Sequence, residues 1–170
     1  MGFEETTFEE NWWSFRFPNK MPERRAYHSS FQWKGKYFMF GGKDISMGHL
    51  NSLWSIDLNE VGKLESGVSE RTQNPEWVQY NLEGKKSNAL WPNPVANHTS
   101  VVFKDKMYLF GGSSGMCENE DLYAYDLNNN SWSKINSKPK NNDERNVVVS
   151  RDEHSAVVLH DSMVIFGGFS

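Results

Sequence analysis

The chain has 170 residues, of which 37% are hydrophobic, 14% aromatic and 24% charged, and its formal net charge is −4. This length allows one domain with a buried core, whereas the negative charge argues against nucleic acid or an anionic membrane as a partner. No apolar run approaches the roughly 18 residues of a membrane span, and the acidic N-terminus does not resemble a secretory signal. The chain has a single cysteine, Cys117, which cannot form an intrachain disulfide. We therefore predict a cytoplasmic protein without a membrane span.

The sequence before the first recurring segment divides into two parts. Residues 1–10 are predicted to form an N-terminal tail. The aromatic-rich sequence Asn11-Trp12-Trp13-Ser14-Phe15 is predicted to be the last strand of a preceding structural unit. The folded domain is therefore expected to extend from residue 11 to residue 170.

Three segments then repeat with one spacing. Each begins with a histidine and ends with two glycines, the first of which lies 13 residues after the histidine, and a phenylalanine directly precedes each glycine pair. The recurring residues are His28 with Gly41 and Gly42, His98 with Gly111 and Gly112, and His154 with Gly167 and Gly168. Such agreement indicates that one structural unit is repeated.

Each repeated segment is predicted to form a hairpin of two strands. A short polar stretch in its middle predicts a tight turn, and the unbroken apolar run that follows suits a strand buried on both faces. The turns are Lys34-Gly35-Lys36, Lys104-Asp105-Lys106 and His160-Asp161-Ser162, and the runs are 37–40, 107–110 and 163–166. The glycine pair after each run allows positive φ and the close approach of another backbone.

A third strand is predicted after each of the first two glycine pairs, at Leu53–Leu58 and at Leu122–Leu127. Each has an aspartate in the next-to-last position, Asp57 or Asp126, which can cap the following turn through its side chain.

A fourth strand is predicted to follow in each of these units, and it contains Trp77 in the first and Trp132 in the second. The histidine spacings are 70 and 56 residues, so the first unit is longer by 14 residues. We predict that this insertion, at residues 60–74, is a long surface loop.

The whole pattern resembles the kelch repeat. The resemblance is carried by the glycine pair after an apolar strand, the aromatic pair in Tyr123-Ala124-Tyr125-Asp126 and the later Trp132. In that family each repeat of about 50 residues forms one four-stranded blade of a β-propeller. The resemblance therefore implies an all-β fold, a kelch-type β-propeller fragment of four-stranded antiparallel blades, with two whole blades and parts of two more.

Two positions depart from the pattern. Val95 stands where the other repeats have Arg25 and Arg151, and Trp54-Ser55-Ile56 replaces the aromatic pair. A complete kelch propeller commonly has about six blades, or roughly 300 residues. We therefore expect the remaining blades to lie in a longer chain.

The three repeated histidines raise the question of a metal site, because imidazole is a common zinc ligand. Their equivalent places in separate blades favour a repeated structural role instead, such as a hydrogen bond to a neighbouring loop. Acidic residues flank Cys117 and disfavour a reactive thiolate, so we expect an ordinary free thiol. We expect no catalytic residue, no metal and no cofactor.

Binding residues are expected on the loops at one end of the blades, where kelch relatives often bind partner peptides. These loops are 16–27, 43–51, 82–97, 113–120 and 135–153, and the candidate contacts on them are Arg24, Arg25, Lys43, His49, Trp91 and Arg145. Two alternatives stay open: Trp91 can pack between blades, and Arg24 and Arg25 can pair with acids of an adjacent blade.

The resemblance implies a non-catalytic module, a scaffold or adaptor that binds other proteins in the cytoplasm or on the cytoskeleton. One alternative is a propeller enzyme such as a relative of galactose oxidase, although that enzyme's constellation of tyrosine, histidine and a linked Cys–Tyr pair could not be matched in this sequence. The other is a structural component of a cytoskeletal or ciliary assembly.

Overall fold

The structure is a computed structural model that describes residues 17, 20–60, 75–80, 90–115, 117–136 and 148–170. This part of the chain contains twelve short strands. They are β1 (Ser29–Trp33), β2 (Lys36–Phe40), β3 (Lys43–Asp44), β4 (Gly48–His49), β5 (Leu53–Asp57), β6 (Val78–Gln79), β7 (Thr99–Phe103), β8 (Lys106–Phe110), β9 (Leu122–Asp126), β10 (Ser131–Ile135), β11 (Ser155–Leu159) and β12 (Ser162–Phe166). Within these ranges no helix is long and apolar enough to cross a membrane.

Apart from β3 and β4, which form a small sheet of their own, the strands form one sheet for each repeat. The first sheet has the order β1-β2-β5-β6 and the second the order β7-β8-β9-β10, while the third repeat supplies the hairpin β11–β12. All neighbouring strands are antiparallel. The first strands lie side by side, β1 against β7 and β7 against β11, so the sheets are arranged as successive blades of a propeller. The all-β fold and its two whole four-stranded blades are therefore confirmed.

The turns form where the polar stretches predicted them. Lys34 and Gly35 join β1 to β2 with φ of 45° and 75°, values that tight hairpin turns require and that glycine adopts readily. At the end of the third strand of the second blade, the Asp126 carboxylate accepts the backbone N–H groups of Asn128 (3.0 Å) and Asn129 (2.9 Å). Asp57 accepts the N–H of Asn59 in the same way.

The core lies between the first two blades. Phe40, at the end of β2, is fully buried, and its ring centroid lies 5.2 Å from that of Trp132 in β10. Trp132 also packs on Tyr125 at 4.9 Å. Burial of each such side chain stabilises the fold by about 1.5–3 kcal/mol.

The third apolar run is more exposed than the first two. Phe166 is 81% exposed, whereas its equivalents Phe40 and Phe110 are 0% and 2% exposed. The physical reason is that β12 has only β11 as a strand partner in the described chain, so its outer edge and one face have no covering segment there.

Two predicted strands are shorter than expected. β5 ends at Asp57 rather than Leu58, whose N–H turns toward the first hairpin and donates to the carbonyl of Gly35 (2.9 Å). β6 begins after Trp77, and Tyr80 reaches the core instead, with its ring 5.8 Å from that of Phe38. Trp77 packs edge-on against Tyr37 at 6.3 Å.

Three further predictions concern segments outside the described residues, namely the N-terminal tail at residues 1–10, the strand at residues 11–15 and most of the surface loop at 60–74. The small hairpin β3–β4 was not predicted.

Candidate functional site

The glycine pairs form the junctions between blades. At the first junction the Gly42 N–H donates to the carbonyl of Val95 (2.8 Å), and at the second the Gly112 N–H donates to the carbonyl of Arg151 (2.9 Å). A Cβ atom on Gly41 would lie 2.6 Å from the Val95 carbonyl oxygen. Each pair is thus a docking point where only a backbone without side chains allows the next blade to approach.

The repeated histidines connect the same blades through side chains. His98 Nε2 lies 2.8 Å from the hydroxyl oxygen of Ser29 in the preceding blade, and His154 Nε2 lies 2.7 Å from that of Thr99. Each imidazole also packs edge-on against the phenylalanine before the glycine pair, Phe40 or Phe110, with centroids 5.6 Å apart. The partner of each histidine therefore lies on the first strand of the neighbouring blade.

Burial sets the protonation state of these histidines. The pKa of His98 is lowered to about 3, chiefly by desolvation, and the neighbouring His28 and His154 act in the same direction. The pKa values of His28 and His154 are lowered as well, again chiefly by desolvation. The imidazoles are consequently neutral structural groups at neutral pH.

The departure at Val95 has a structural explanation. In the first and third repeats an arginine donates to the carbonyl of the first glycine, Arg25 to Gly41 (2.9 Å) and Arg151 to Gly167 (3.0 Å). In the second repeat the side-chain amide of Asn119 donates to the Gly111 carbonyl at 3.0 Å instead. A residue from a different loop thus supplies the same hydrogen bond.

The connecting loops meet at the junction end of the blades. Ala26 bridges Lys43, Ala96 bridges Ser113 and Asp152 bridges Phe169, all as antiparallel pairs. A further bond runs between blades from the Asn97 N–H to the Tyr27 carbonyl, and another from the Glu153 N–H to the Asn97 carbonyl, at 3.0 and 3.1 Å. We call this surface, formed by residues 20–28, 43–52, 90–98, 113–115, 117–121 and 148–154, the loop face.

Three of the predicted contact residues surround one open depression on the loop face, which Arg24, Arg25, Ala26, Lys43, Asp44, Ile45 and Ser46 line. Arg24 and Lys43 are exposed. Arg25 is different, because its side chain is only 3% exposed and pairs with Glu23 at 2.6 Å. Desolvation lowers the pKa of the Arg25 guanidinium, although Glu23 opposes this effect. The contacts of Arg25 are therefore those of a structural residue.

The other predicted contacts lie elsewhere. Trp91 is half-buried, packs against Trp132 at 5.7 Å and donates from Nε1 to the carbonyl of Asn51 (2.8 Å), so its contacts match the packing alternative. His49 lies against the next blade's loop, where a Cβ on Gly115 would be 2.9 Å from its ring. Arg145 lies outside the described residues. A binding role for any of these residues stays a prediction.

Sequence reasoning missed the tip of the β3–β4 hairpin. Ile45 is 102% exposed and Met47 is 64% exposed. Asp44 accepts the N–H groups of Ser46 and Met47 and thereby forms the turn. The sequence signal was Asp44 followed four residues later by Gly48, a pattern typical of a turn.

The second blade presents a different surface at the equivalent loop. A pocket of ≈ 360 Å³ lies between residues 92–95 on one side and residues 114 and 117–121 on the other. Glu118, Glu120 and Asp121 line it, with Asp121 paired to Lys134 at 2.6 Å. A hydrogen bond to Asp121 adds to desolvation in raising the pKa of Tyr123 to about 12. The loop face is thus basic and apolar at the first blade and acidic at the second.

Across the described ranges, no group of three or more His, Cys, Asp or Glu residues is arranged to hold a metal ion. Cys117 is exposed and carries a free thiol.

Comparison with known proteins identifies the family. A family model described as the KLHDC2/KLHL20/DRC7 Kelch-repeats domain matches residues 3–170. The chain belongs to the kelch-repeat family. Kelch domains commonly act as protein-interaction modules, which gives the loop face its functional interest.

Curated relatives of this kelch chain are much longer proteins. It is 27% identical over 158 residues to the Ras guanine nucleotide exchange factor F of Dictyostelium discoideum, with 92% of this chain and 12% of the relative covered. Host cell factor 2 of Homo sapiens is 32% identical over 158 residues, with 87% and 18% covered. Kelch domain-containing protein 3 of Bos taurus is 26% identical over 150 residues, with 87% and 33% covered. The chain therefore spans no more than a third of these relatives.

Proposed function

We propose that this kelch chain is a non-catalytic interaction module that binds partner proteins through the loop face. The observation that carries the proposal is the joining of loops from successive blades into one surface by backbone hydrogen bonds, such as Asn97 to Tyr27 and Glu153 to Asn97. Loops held on a rigid scaffold are where recognition is usually concentrated. The exposed Arg24 and Lys43 on this surface supply polar contacts for a partner.

We further propose that blades outside these residues complete the ring in a longer cytoplasmic protein. The exposure of Phe166, whose equivalents are buried by the following blade, supports this proposal. The partial coverage of the relatives supports it as well, since the matched region is 12–33% of their lengths.

The test compares affinity capture by full-length protein variants in the cells that express it. The loop-face variant carries Arg24→Glu and Lys43→Glu. The matched control carries Lys104→Glu and Lys106→Glu, two exposed lysines at the opposite end of the blades. We expect the loop-face variant to lose captured proteins that the control retains, as measured by quantitative mass spectrometry. Identical capture by both variants and the wild type would refute binding through the loop face.

A further inference from the structure

The β3–β4 hairpin places apolar side chains where turns ordinarily carry polar ones. Ile45 is fully exposed and Met47 is 64% exposed at the tip. Turn tips are usually built from Gly, Asn, Asp, Ser and Pro, and exposed apolar groups beside polar ones mark interaction sites when they lie close together.

The conformation of this tip is set before any partner binds. The strands pair through Lys43↔His49 and Asp44↔Gly48. Asp44 Oδ1 accepts the Ser46 N–H at 2.7 Å and the Met47 N–H at 2.8 Å. The base is anchored to the preceding connector, because Lys43 and Ala26 exchange backbone hydrogen bonds of 2.8 and 3.0 Å. Such preorganisation lowers the entropy lost on binding.

Two cations next to the tip have no partner within the described chain. Arg24 and Lys43 are exposed and line the same depression as Ile45. Neither makes a side-chain hydrogen bond or an ion pair with a described residue. By contrast, Lys34 pairs with Asp105 and Lys134 with Asp121. No acid of the described chain therefore neutralises Arg24 or Lys43.

The fold itself does not require this hairpin. The equivalent loop of the second blade, residues 113–121, forms the same junction through Ala96 and Ser113. Among its described residues this loop turns back on itself through the single antiparallel bridge Ser113↔Glu118 rather than a pair of two-residue strands. It carries Glu118 and Glu120 instead of basic residues. The junction between blades is therefore common to both loops, whereas the paired strands and the basic residues are particular to the first blade.

We propose that the β3–β4 hairpin is a preformed docking element for an acidic segment of a partner protein that also carries an apolar side chain. Ile45 and Met47 contact the apolar side chain, and Arg24 and Lys43 pair with the acids. This proposal rests on the proposed function and names the chemistry of the partner. An extended peptide is favoured over an anionic bilayer because the acidic loop of the second blade shares the loop face and would be repelled by a broad anionic surface.

The test uses full-length protein and a random-peptide library displayed on phage as the probe. We expect the selected peptides to combine Asp or Glu with a large apolar residue. Their affinity should weaken about tenfold or more in the pair Ile45→Ser with Met47→Ser, and likewise in the pair Arg24→Glu with Lys43→Glu. Both pairs change exposed residues, and unchanged unfolding midpoints would verify that the fold is intact.

Two control variants match these pairs. Val78→Ser changes an apolar residue of β6 that is 48% exposed and is not one of the residues that form the loop face. Lys104→Glu with Lys106→Glu changes cations at the opposite end of the blades. Neither should alter affinity. The acidic character of the bound segment predicts weaker binding at high salt.

Several outcomes would overturn the proposal in different ways. The selected peptides could bind the hairpin variants as tightly as the wild type but bind Glu120→Lys more weakly. This result would refute the hairpin proposal and would still support binding at the loop face. No selected peptide, or peptides insensitive to every loop-face variant, would refute both proposals. Two other outcomes would also overturn the proposal if no acidic peptide is selected. Binding to phosphatidylserine vesicles that depends on the hairpin would assign the hairpin to a membrane. Self-association that depends on the hairpin would assign it to a second copy of the chain.

Discussion

His98 Nε2 lies 2.8 Å from the hydroxyl oxygen of Ser29, and the two residues are separated by 69 positions in the chain. Both side chains are buried, at 5% and 8% exposed. This hydrogen bond connects the first strand of one blade to the start of the next, and the pair His154 and Thr99 repeats it at the following junction. Stability at the junctions therefore depends on these pairs.

Removal of the hydroxyl should destabilise the junction. In Ser29→Ala the buried imidazole loses its partner, so we expect the free energy of unfolding to fall by about 1–3 kcal/mol. Urea unfolding checks this value. Ser30→Ala is the matched control, because Ser30 is the exposed neighbour on the same strand and its change should have little effect. Equal losses in the two variants would contradict a special role for the Ser29 hydroxyl.

Acid should destabilise the protein through the buried histidines. The pKa of His98 falls from 6.5 to about 3 on folding, chiefly by desolvation. Between these two pH values the unfolded chain therefore binds a proton at His98 that the folded chain excludes. The contribution of neutral His98 to the free energy of unfolding is fully present above pH 6.5 and is lost as the pH falls toward 3. Over this range His98 alone lowers the free energy of unfolding by about 1.4 kcal/mol per pH unit. His28 and His154, whose pKa values are also lowered, act in the same direction.

Urea unfolding at several pH values below neutrality tests this dependence. His98→Gln should have a shallower loss of stability with acid than the wild type. An unchanged slope in His98→Gln would show that other groups dominate the acid response.

Two equivalent glycines should differ in their tolerance of alanine. Both have positive φ, 66° at Gly111 and 74° at Gly167, which costs a non-glycine residue about 1–2 kcal/mol. A Cβ on Gly111 would also lie 2.2 Å from the Arg151 carbonyl oxygen, whereas nothing lies within 4 Å at Gly167. We expect Gly111→Ala in the 170-residue chain to be more destabilising by roughly 1–3 kcal/mol. Urea unfolding of both variants measures this difference. Equal losses in the free energy of unfolding would contradict the steric explanation.

Tyr27 occupies a backbone conformation that a different residue should adopt more easily. Its φ is 58°, the same value as at the equivalent Asn97, and asparagine is tolerated in this region better than tyrosine. Because Tyr27 is 63% exposed, little packing is lost on its replacement. We expect Tyr27→Asn to raise the free energy of unfolding by about 1 kcal/mol. Tyr27→Ala should bring no such gain, and a gain of equal size there would point to another cause.

The strands and turns could be predicted from the sequence because they depend on interactions between neighbouring residues. The alternation of polar turns and apolar runs, and the aspartates at strand ends, act on neighbouring residues, so strands and turns such as Lys34-Gly35 were found at their places. Trp77 was assigned to a strand that begins one residue later. Its repeat equivalence to Trp132 could not reveal that Tyr80 would be the residue that packs against Phe38 in the core.

The candidate site was less predictable, because burial and charge pairing depend on distant segments. Arg24 and Arg25 are adjacent in sequence, yet one is exposed and the other is inserted beneath the loop face against Gly41 and Glu23. Ile45 would have been assigned to the interior by its apolar character alone, whereas the turn made by Asp44 directs it into solvent.

The sequence by itself determined the repeat, the blade architecture and the junction glycines, because each follows from spacing and from conformational preferences of neighbouring residues. Only the tertiary structure decided which groups meet across the junctions. Asn119 replaces the missing arginine on the Gly111 carbonyl, and Ser29 becomes the partner of His98. These pairings form between side chains that the sequence keeps apart and that only the packing of one blade on the next brings within hydrogen-bond distance.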